Sequence, residues 1–228
     1  MISMIIDGSV MQLKDRENAS EILYSLLKDK LKNVNSDKYL VLGIPSGGVV
    51  MGDIIATKFR YSFDIVIPRR LVSPYDEELS IGAIMKDNTL YTNSLTMRNL
   101  KITDHYLNEE KERQLNEIKK REIILGQQIK EEKISGKNII LVDDGVATGA
   151  TLIVASRWIR KHNPKNLTIA TPVCPKYILK LLKEEADDIE SIITPSSKNF
   201  TTVEKFYKYF EQLEIEKIHE IVKKYNLN

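Results

Sequence analysis

The chain has 228 residues, a length that suits one domain of moderate size. Its 34 basic and 32 acidic residues nearly cancel, which argues against a dedicated nucleic-acid binder. A single cysteine, Cys174, excludes an intrachain disulfide and a zinc finger, and no apolar run is long enough to span a bilayer. The opening MISMIIDGSV lacks the pattern of a secretory signal, so we expect a cytoplasmic protein that binds neither nucleic acid nor membrane.

The first half of the chain predicts helices, short strands and a hairpin. Leucines and isoleucines recur at helical spacing after Asp15, which can cap a first helix, and the apolar run before Pro45 is typical of a buried strand. The predicted elements are helix 15–32, strand 39–44, helix 49–59, strand 64–68, loop 69–78 and a hairpin of strands 81–85 and 89–92.

The second half continues this alternation of strands and helices. Its predicted elements are helix 103–133, strand 139–142, helix 151–162, strand 167–173, helix 175–185, strand 191–194 and a tail helix 215–225. Short apolar strands that alternate with helices predict an α/β fold with a mostly parallel, twisted sheet flanked by helices. In such sheets, ligands bind beyond the carboxyl ends of the strands, where the strand order reverses.

The most informative segment is 138–151, NIILVDDGVATGAT. A buried strand delivers Asp143 and Asp144 to the sheet edge, where they can take sugar hydroxyls or a metal. The loop that follows has no side chain larger than threonine, so its amides and the next helix N-terminus can approach a phosphate. Taken alone, this loop also fits an ordinary strand-turn-helix connection. It is neither a Walker A loop nor a GxGxxG fingerprint.

This motif resembles the site for phosphoribosyl diphosphate (PRPP) of the type I phosphoribosyltransferases. The likeness extends over nearly the whole chain, and its other specific parts are VLGIPSGGVVMGDIIA (41–56), RRLVSPYDEELSIGAI (69–84) and FTTVEKFYKYF (200–210). Together they are similar to a subgroup known as predicted phosphoribosyltransferases, which has no firmly assigned acceptor. The resemblance implies a single domain over 1–228, with a Rossmann-like core at about 37–194, a helical and hairpin insertion at about 69–135 and a tail or hood at about 195–228.

The resemblance also implies a role for each part of the site. The ribose hydroxyls would be held by Asp143 and Asp144, which would also reach Mg²⁺, chiefly through water. The 5′-phosphate would be cradled by Ala147, Thr148, Gly149, Ala150 and Thr151. The diphosphate would lie against Ser46, Gly47 and Gly48, where glycines can expose backbone amides; a tight turn with no ligand is the alternative for this segment.

One departure from the subgroup concerns the charge at the diphosphate site. Ser46 stands where the subgroup commonly carries a basic residue. The loss of that fixed positive charge should weaken the binding of the anionic diphosphate. Arg69 and Arg70 follow the second predicted strand and are expected to compensate, although surface arginines at a strand end are the alternative. Lys86 or Lys176 is a candidate for a third cation, and the spacing selects neither.

The implied activity is a Mg²⁺-dependent transfer of the phosphoribosyl group of PRPP to a nucleobase or related nitrogen acceptor, in nucleotide salvage. Ala147 stands before Thr-Gly, as in adenine-type relatives, which disfavours an oxopurine enzyme that uses an acid there. Glu77 and Glu78 are candidates for a general base, with solvated loop acids as the alternative. Relatives often dimerise, so the resemblance implies a homodimer.

Two alternatives to a transferase remain open. Ser46 and Ala147 favour a catalytically weak regulator that binds PRPP or a nucleotide, and hydrolysis or phosphorolysis of a phosphorylated sugar at the same pocket is a third hypothesis. The tail aromatics are expected to plug the core or to stack on a flat base; they are Phe200, Phe206, Tyr207 and Phe210. The charged helix 103–133, with Arg113, Gln114 and Arg121, is expected to be solvated or to contact a second subunit.

Overall fold

The structure, a computed structural model, describes residues 12–31, 36–126 and 129–226. The strands are β1 (Tyr39–Gly43), β2 (Ser62–Ile65), β3 (Arg69–Val72), β4 (Ser80–Ile84), β5 (Leu90–Thr92), β6 (Asn138–Val142), β7 (Asn166–Val173) and β8 (Asp188–Ile193). The helices are α1 (Arg16–Lys30), α2 (Gly47–Phe59), α3 (Ser94–Asn99), α4 (Asp104–Leu125), α5 (Ala150–Lys161), α6 (Lys176–Leu182) and α7 (Ile215–Asn226). The expectation about the first ten residues lies outside the described part of the chain.

Five parallel strands form the main sheet, in the order β2-β1-β6-β7-β8. Alternate residues of each strand face opposite sides, so Val41 of β1 joins one apolar core with α1 and α2 while Leu42 joins another with α5 and α6. The sheet is therefore buried on both faces, which explains why its strands are short continuous apolar runs. The predicted α/β fold with a mostly parallel sheet is confirmed.

The strand order reverses between β1 and β6, and this position locates the ligand edge of the sheet. The chain leaves β1 toward β2 on one side, and β7 and β8 lie on the other side of β6. Gly43 and Val142 are register partners at the carboxyl ends of β1 and β6. The segments that follow them, 44–48 and 143–149, consequently start side by side at the switch point where ligands bind in such sheets.

Two of the predicted elements between residues 69 and 133 differ from the structure. Residues 69–72, predicted as loop, form β3, because Arg69 pairs with Ile84 and Arg70 pairs with Ala83 in a small antiparallel sheet of β3, β4 and β5. The predicted helix 103–133 ends earlier: α4 stops at Leu125, and Gly126 follows with a positive φ of 89°.

The segment before α1 pairs with the tail through backbone hydrogen bonds. The Leu13 amide donates to the Phe206 carbonyl at 2.8 Å, and the Lys208 amide donates to the Leu13 carbonyl at 2.8 Å. The segment that precedes α1 therefore packs with the tail, and a hood at 195–228 stays a prediction. In the described ranges, no helix combines the length and the apolar character that crossing a membrane would require.

Candidate active site

A cavity of about 580 Å³ opens at the carboxyl edge of the sheet, and residues of β3, α4 and the segment 204–213 line it. This volume is in the range of small-molecule sites. The structure brings seven of the predicted site residues to its wall: Ser46, Gly47, Arg69, Arg70, Asp143, Asp144 and Thr151. Residues from α1, α4 and the tail also line the cavity; these are Arg16, Arg121, Glu204, Phe210, Glu211, Gln212 and Leu213.

The acid pair follows β6 directly, because the sheet ladder ends there. The Asp143 amide still donates to the Ala170 carbonyl at 3.3 Å, and the Asp144 amide donates to Asp143 Oδ1 at 2.9 Å. Burial raises the pKa of the Asp143 carboxyl well above its ordinary value, and the adjacent charge of Asp144 raises this pKa further. The pair therefore favours a partner that brings positive charge or hydrogen-bond donors.

The glycines after β1 allow the two loops to touch. A Cβ atom on Gly47 would lie 1.8 Å from Asp144 Oδ2, and a Cβ atom on Gly48 would lie 2.3 Å from the Val142 carbonyl oxygen. Any larger residue would thus collide with the acid pair or with the end of β6. The peptide bond between Pro45 and Ser46 is cis. Gly48 is buried behind the acids, while Ser46 and Gly47 line the cavity.

The predicted phosphate loop forms the turn into α5. Gly149 adopts a positive φ of 79° immediately before the helix begins at Ala150, so a side chain there would be strained. Thr148 Oγ1 accepts from the Ala150 amide at 3.5 Å. Thr151 lies on the cavity wall, whereas Ala147 and Thr148 are exposed at the rim. The first turn of α5 therefore points toward the cavity that holds the acids.

Arg16 was not among the residues that the sequence indicated, yet it contacts the acid pair directly. Its Nε donates to Asp144 Oδ2 at 2.7 Å, and its Nη1 donates to the Glu211 carbonyl at 2.7 Å. The guanidinium group also lies 3.9 Å from the centre of the Phe210 ring. Arg16 thus joins the first helix, the second aspartate and the tail at one point.

The tail aromatics divide between the core and the cavity. Phe206 and Tyr207 are buried, as the core-plug interpretation expected, and Phe200 packs against Phe206 with ring centres 6.0 Å apart. Phe210 lines the cavity instead, beside Arg16. The Tyr207 hydroxyl donates to the Asp144 carbonyl at 2.7 Å, so the tail supports the backbone of the acid pair.

Tyr207→Phe should lower the free energy of unfolding by about 1 kcal/mol, because the Asp144 carbonyl would lose a buried hydrogen bond while the ring stays in place. Urea denaturation followed by circular dichroism measures this difference. Tyr209→Phe is the matched control. Tyr209 is 50% exposed, so loss of its hydroxyl should leave the free energy of unfolding unchanged. Equal stability of the Tyr207→Phe variant and the parent would contradict the structural role assigned to the hydroxyl.

Three arginines line the same cavity as the acid pair. Arg69 and Arg70 come from β3, and Arg121 comes from α4. Burial lowers the pKa of Arg69, the charge of Arg121 lowers it further, and burial also lowers the pKa of Arg121. The expectation that this part of helix 103–133 is solvated is wrong for Arg121, which is partly buried and lines the cavity.

Comparison with known proteins connects this geometry to a family. The phosphoribosyl transferase domain matches residues 9–208 of the chain. The chain belongs to the phosphoribosyl transferase family.

Two relatives of the chain come from Mycobacterium tuberculosis, one from strain CDC 1551 / Oshkosh and one from strain H37Rv. Both are provisionally named phosphoribosyl transferases. Each is 28% identical to the chain over 186 residues. The match covers 82% of this chain but 42% of each relative, so the chain spans about two fifths of the length of these relatives.

Solved structures agree with the fold of this phosphoribosyl transferase family member. TT1426 from Thermus thermophilus is 26% identical, with a TM-score of 0.72 over 94% of this chain and 99% of that chain. AQ2163 from Aquifex aeolicus is 16% identical, with a TM-score of 0.51 over 79% of this chain and 75% of that chain. The second likeness bears on the fold alone.

Other residues that the sequence suggested lie away from the cavity of this phosphoribosyl transferase domain. Glu77 lines a different cavity of about 360 Å³, together with Tyr106 and Arg113. Lys86 pairs with Glu122 at 3.6 Å, and Lys176 is exposed at the start of α6. None of these three suggested side chains contributes to the wall that carries the acid pair.

Proposed function

We propose that the chain is a Mg²⁺-dependent phosphoribosyltransferase that transfers the phosphoribosyl group of PRPP to a nucleobase or related nitrogen acceptor and releases diphosphate. One observation carries this proposal. Asp143 and Asp144 line the same cavity as Thr151 on the first turn of α5 and as Arg69 and Arg70 of β3. Membership of the phosphoribosyl transferase family supports the general class of reaction.

The two ends of the cavity suit the two charged ends of PRPP. The amides of the turn before α5 and the N-terminus of that helix provide donors for the 5′-phosphate. Ser46, Gly47 and the two arginines of β3 face the diphosphate. The acid pair lies between these ends and accepts hydrogen bonds from the ribose hydroxyls.

The reaction breaks the bond between the ribose anomeric carbon and the diphosphate oxygen, and forms a bond from that carbon to the acceptor nitrogen, which loses a proton. Positive charge develops on the sugar ring and negative charge on the leaving group. Carboxylates beside the ring and guanidinium groups beside the diphosphate stabilise both charges in the transition state more than in the ground state. The acid pair and the arginines Arg69 and Arg70 bring these two opposite charges into one cavity.

The residues present also fit Mg²⁺ that is carried by the substrate. Mg²⁺ prefers oxygen ligands, keeps several waters and is commonly held by one or two carboxylates together with substrate phosphates. Asp143 and Asp144 supply two such carboxylates, and the described part of the chain contains no group of three or more acidic, histidine or cysteine side chains that would bind a metal alone. Bound Mg²⁺ would neutralise charge on the diphosphate.

The homodimer is proposed from the resemblance, together with one feature of α4. Ile123 is 83% exposed and Ile124 is 43% exposed on this helix. Apolar side chains at such exposure support a contact between subunits. Sedimentation velocity of the purified protein measures the mass directly.

A regulator that binds PRPP without turnover is the second candidate, and it is favoured by a specific contact. Arg16 occupies Oδ2 of Asp144, one of the oxygens that a sugar or hydrated Mg²⁺ would use. Ser46 and Ala147 support the same hypothesis.

Incubation of the protein with PRPP, Mg²⁺ and a panel of nucleobases tests these functions. We expect diphosphate release that depends on one class of base. Tight PRPP binding with no release for any base would support the regulator, and release at the same rate without a base would support hydrolysis. Absence of PRPP binding at millimolar Mg²⁺ in calorimetry would refute the proposed function.

A further inference from the structure

The arginine wall, defined as Arg69, Arg70 and Arg121, lacks acidic partners. No carboxylate of the described residues lies within 4.0 Å of its guanidinium nitrogens. Other arginines do have acidic partners: Arg113 contacts Glu110 at 2.7 Å and Arg157 contacts Glu185 at 2.7 Å. Arg69 and Arg121 are partly buried, whereas Arg70 is exposed. Two cations that are partly buried without a carboxylate repel one another and lose hydration, so an anionic ligand would be stabilised there.

The acid nearest to this wall does not neutralise it. Glu117, one turn before Arg121 on α4, raises the pKa of both Arg69 and Arg121, but burial outweighs it in each case. Its carboxylate is bound by Lys120 at 2.6 Å. The positive charge of the wall therefore remains available to the cavity.

A hydrogen-bonded chain on α4 fixes the orientation of Arg69. The Arg69 Nε donates to Gln114 Oε1 at 3.1 Å, and Gln114 Nε2 donates to Glu110 Oε1 at 3.0 Å. Glu110 is buried and also accepts from the Val72 amide at 3.1 Å, which ties α4 to β3. Since the Nε is used by Gln114, the terminal nitrogens of the guanidinium fork remain for a ligand.

We propose that Arg121 of α4 binds the condensed-phosphate end of the substrate together with Arg69. This inference rests on the proposed function, because it assigns the diphosphate of PRPP to this wall. Gln114 acts as a positioning residue for Arg69. A helix that the sequence identified only by its charge thus contributes a ligand-binding side chain.

Calorimetry with inorganic diphosphate and, separately, with ribose 5-phosphate tests the inference at millimolar Mg²⁺. Arg121→Gln should weaken diphosphate binding at least about tenfold, the expected cost of losing a charge-assisted contact, and should change ribose 5-phosphate binding less than about twofold. Lys119→Gln removes the same charge from an exposed position on the same helix, and should change neither affinity.

A measurement on the parent protein keeps the inference testable if Arg121→Gln does not fold. Phenylglyoxal modifies accessible arginines, and saturating diphosphate should slow modification of Arg121 at least about fivefold, as bound anions mask the guanidinium. Arg98, on α3 and outside the cavity wall, should react at an unchanged rate. Peptide mass spectrometry measures both rates.

The outcomes separate this inference from the proposed function. If the parent binds PRPP and Arg121→Gln binds diphosphate equally well, Arg121 has no role in binding and the inference is overturned alone. If diphosphate binds in an Arg121-dependent way but ribose 5-phosphate and PRPP do not bind, an anion site at Arg121 is supported and the proposed function fails. If the parent binds none of the three probes, both are overturned.

Discussion

Asp144→Asn should reduce base-dependent diphosphate release by at least about 100-fold while the protein remains folded, a loss typical of removing a preorganised electrostatic group. The substitution keeps the shape of the side chain but removes the charge that faces the developing positive charge of the ribose ring. It also leaves Arg16 without the carboxylate that it contacts at 2.7 Å. Steady-state release of diphosphate from PRPP measures the effect, and circular dichroism verifies the fold.

Asp188→Asn is the matched control for this variant. Asp188 lies at the start of β8, its side chain is 52% exposed, and its contact with Lys30 is 3.7 Å long. Such a surface pair contributes little, so the control should retain the parental rate. Parental turnover by Asp144→Asn would remove Asp144 from the catalytic role assigned to it.

Alanine at either of the two glycines after β1 should destabilise the protein, and at Gly47 it should also impair activity. Gly48→Ala should lower the free energy of unfolding by about 3 kcal/mol, because its Cβ meets the Val142 carbonyl, which is backbone at the end of a central strand and cannot rotate away. Gly47→Ala should also lower stability, because rotation can move the Asp144 carboxylate but leaves Asp144 Cβ 2.6 Å from the new Cβ atom, so the backbone must shift. That shift displaces the carboxylate assigned to the ribose, so PRPP-dependent activity should fall about 100-fold.

Urea denaturation and diphosphate release, measured on both glycine variants, distinguish these effects. Each glycine variant serves as the control for the other, because both replace a glycine by alanine within the first turn of α2. The close approach of the two loops would be disproved if Gly48→Ala were as stable as the parent. Retention of full activity by Gly47→Ala would show that Asp144 tolerates displacement.

The sequence predicted the main sheet well because its signals are local. Each strand is a short apolar run bounded by turn residues, and the acid pair directly follows one of these runs. Once the strands are parallel, their carboxyl ends share an edge, so the meeting of Ser46 and Gly47 with Asp143 and Asp144 follows from topology. The roles of these residues toward PRPP stay predictions.

The features that the sequence did not predict depend on contacts between distant segments. Strand β3 is polar at its start, and its pairing with β4 decides its structure rather than its own propensity. Arg16 is 128 positions from Asp144, and nothing in its surroundings distinguishes it from other arginines in a helix. Arg121 lies among many charged residues of α4. Only the packing of α4 on β3 determines which of these side chains faces the cavity.

The pairing of Leu13 with Phe206 has a consequence for synthesis on the ribosome. These residues are separated by 193 positions, and the helix that carries Arg16 is made long before the segment that holds its guanidinium. A nascent chain that ends after β8 contains every strand of the main sheet but lacks Phe210 and the Glu211 carbonyl. Closure of so long a loop is entropically costly, so the anchoring of Arg16 to the tail is expected to be one of the last steps of folding.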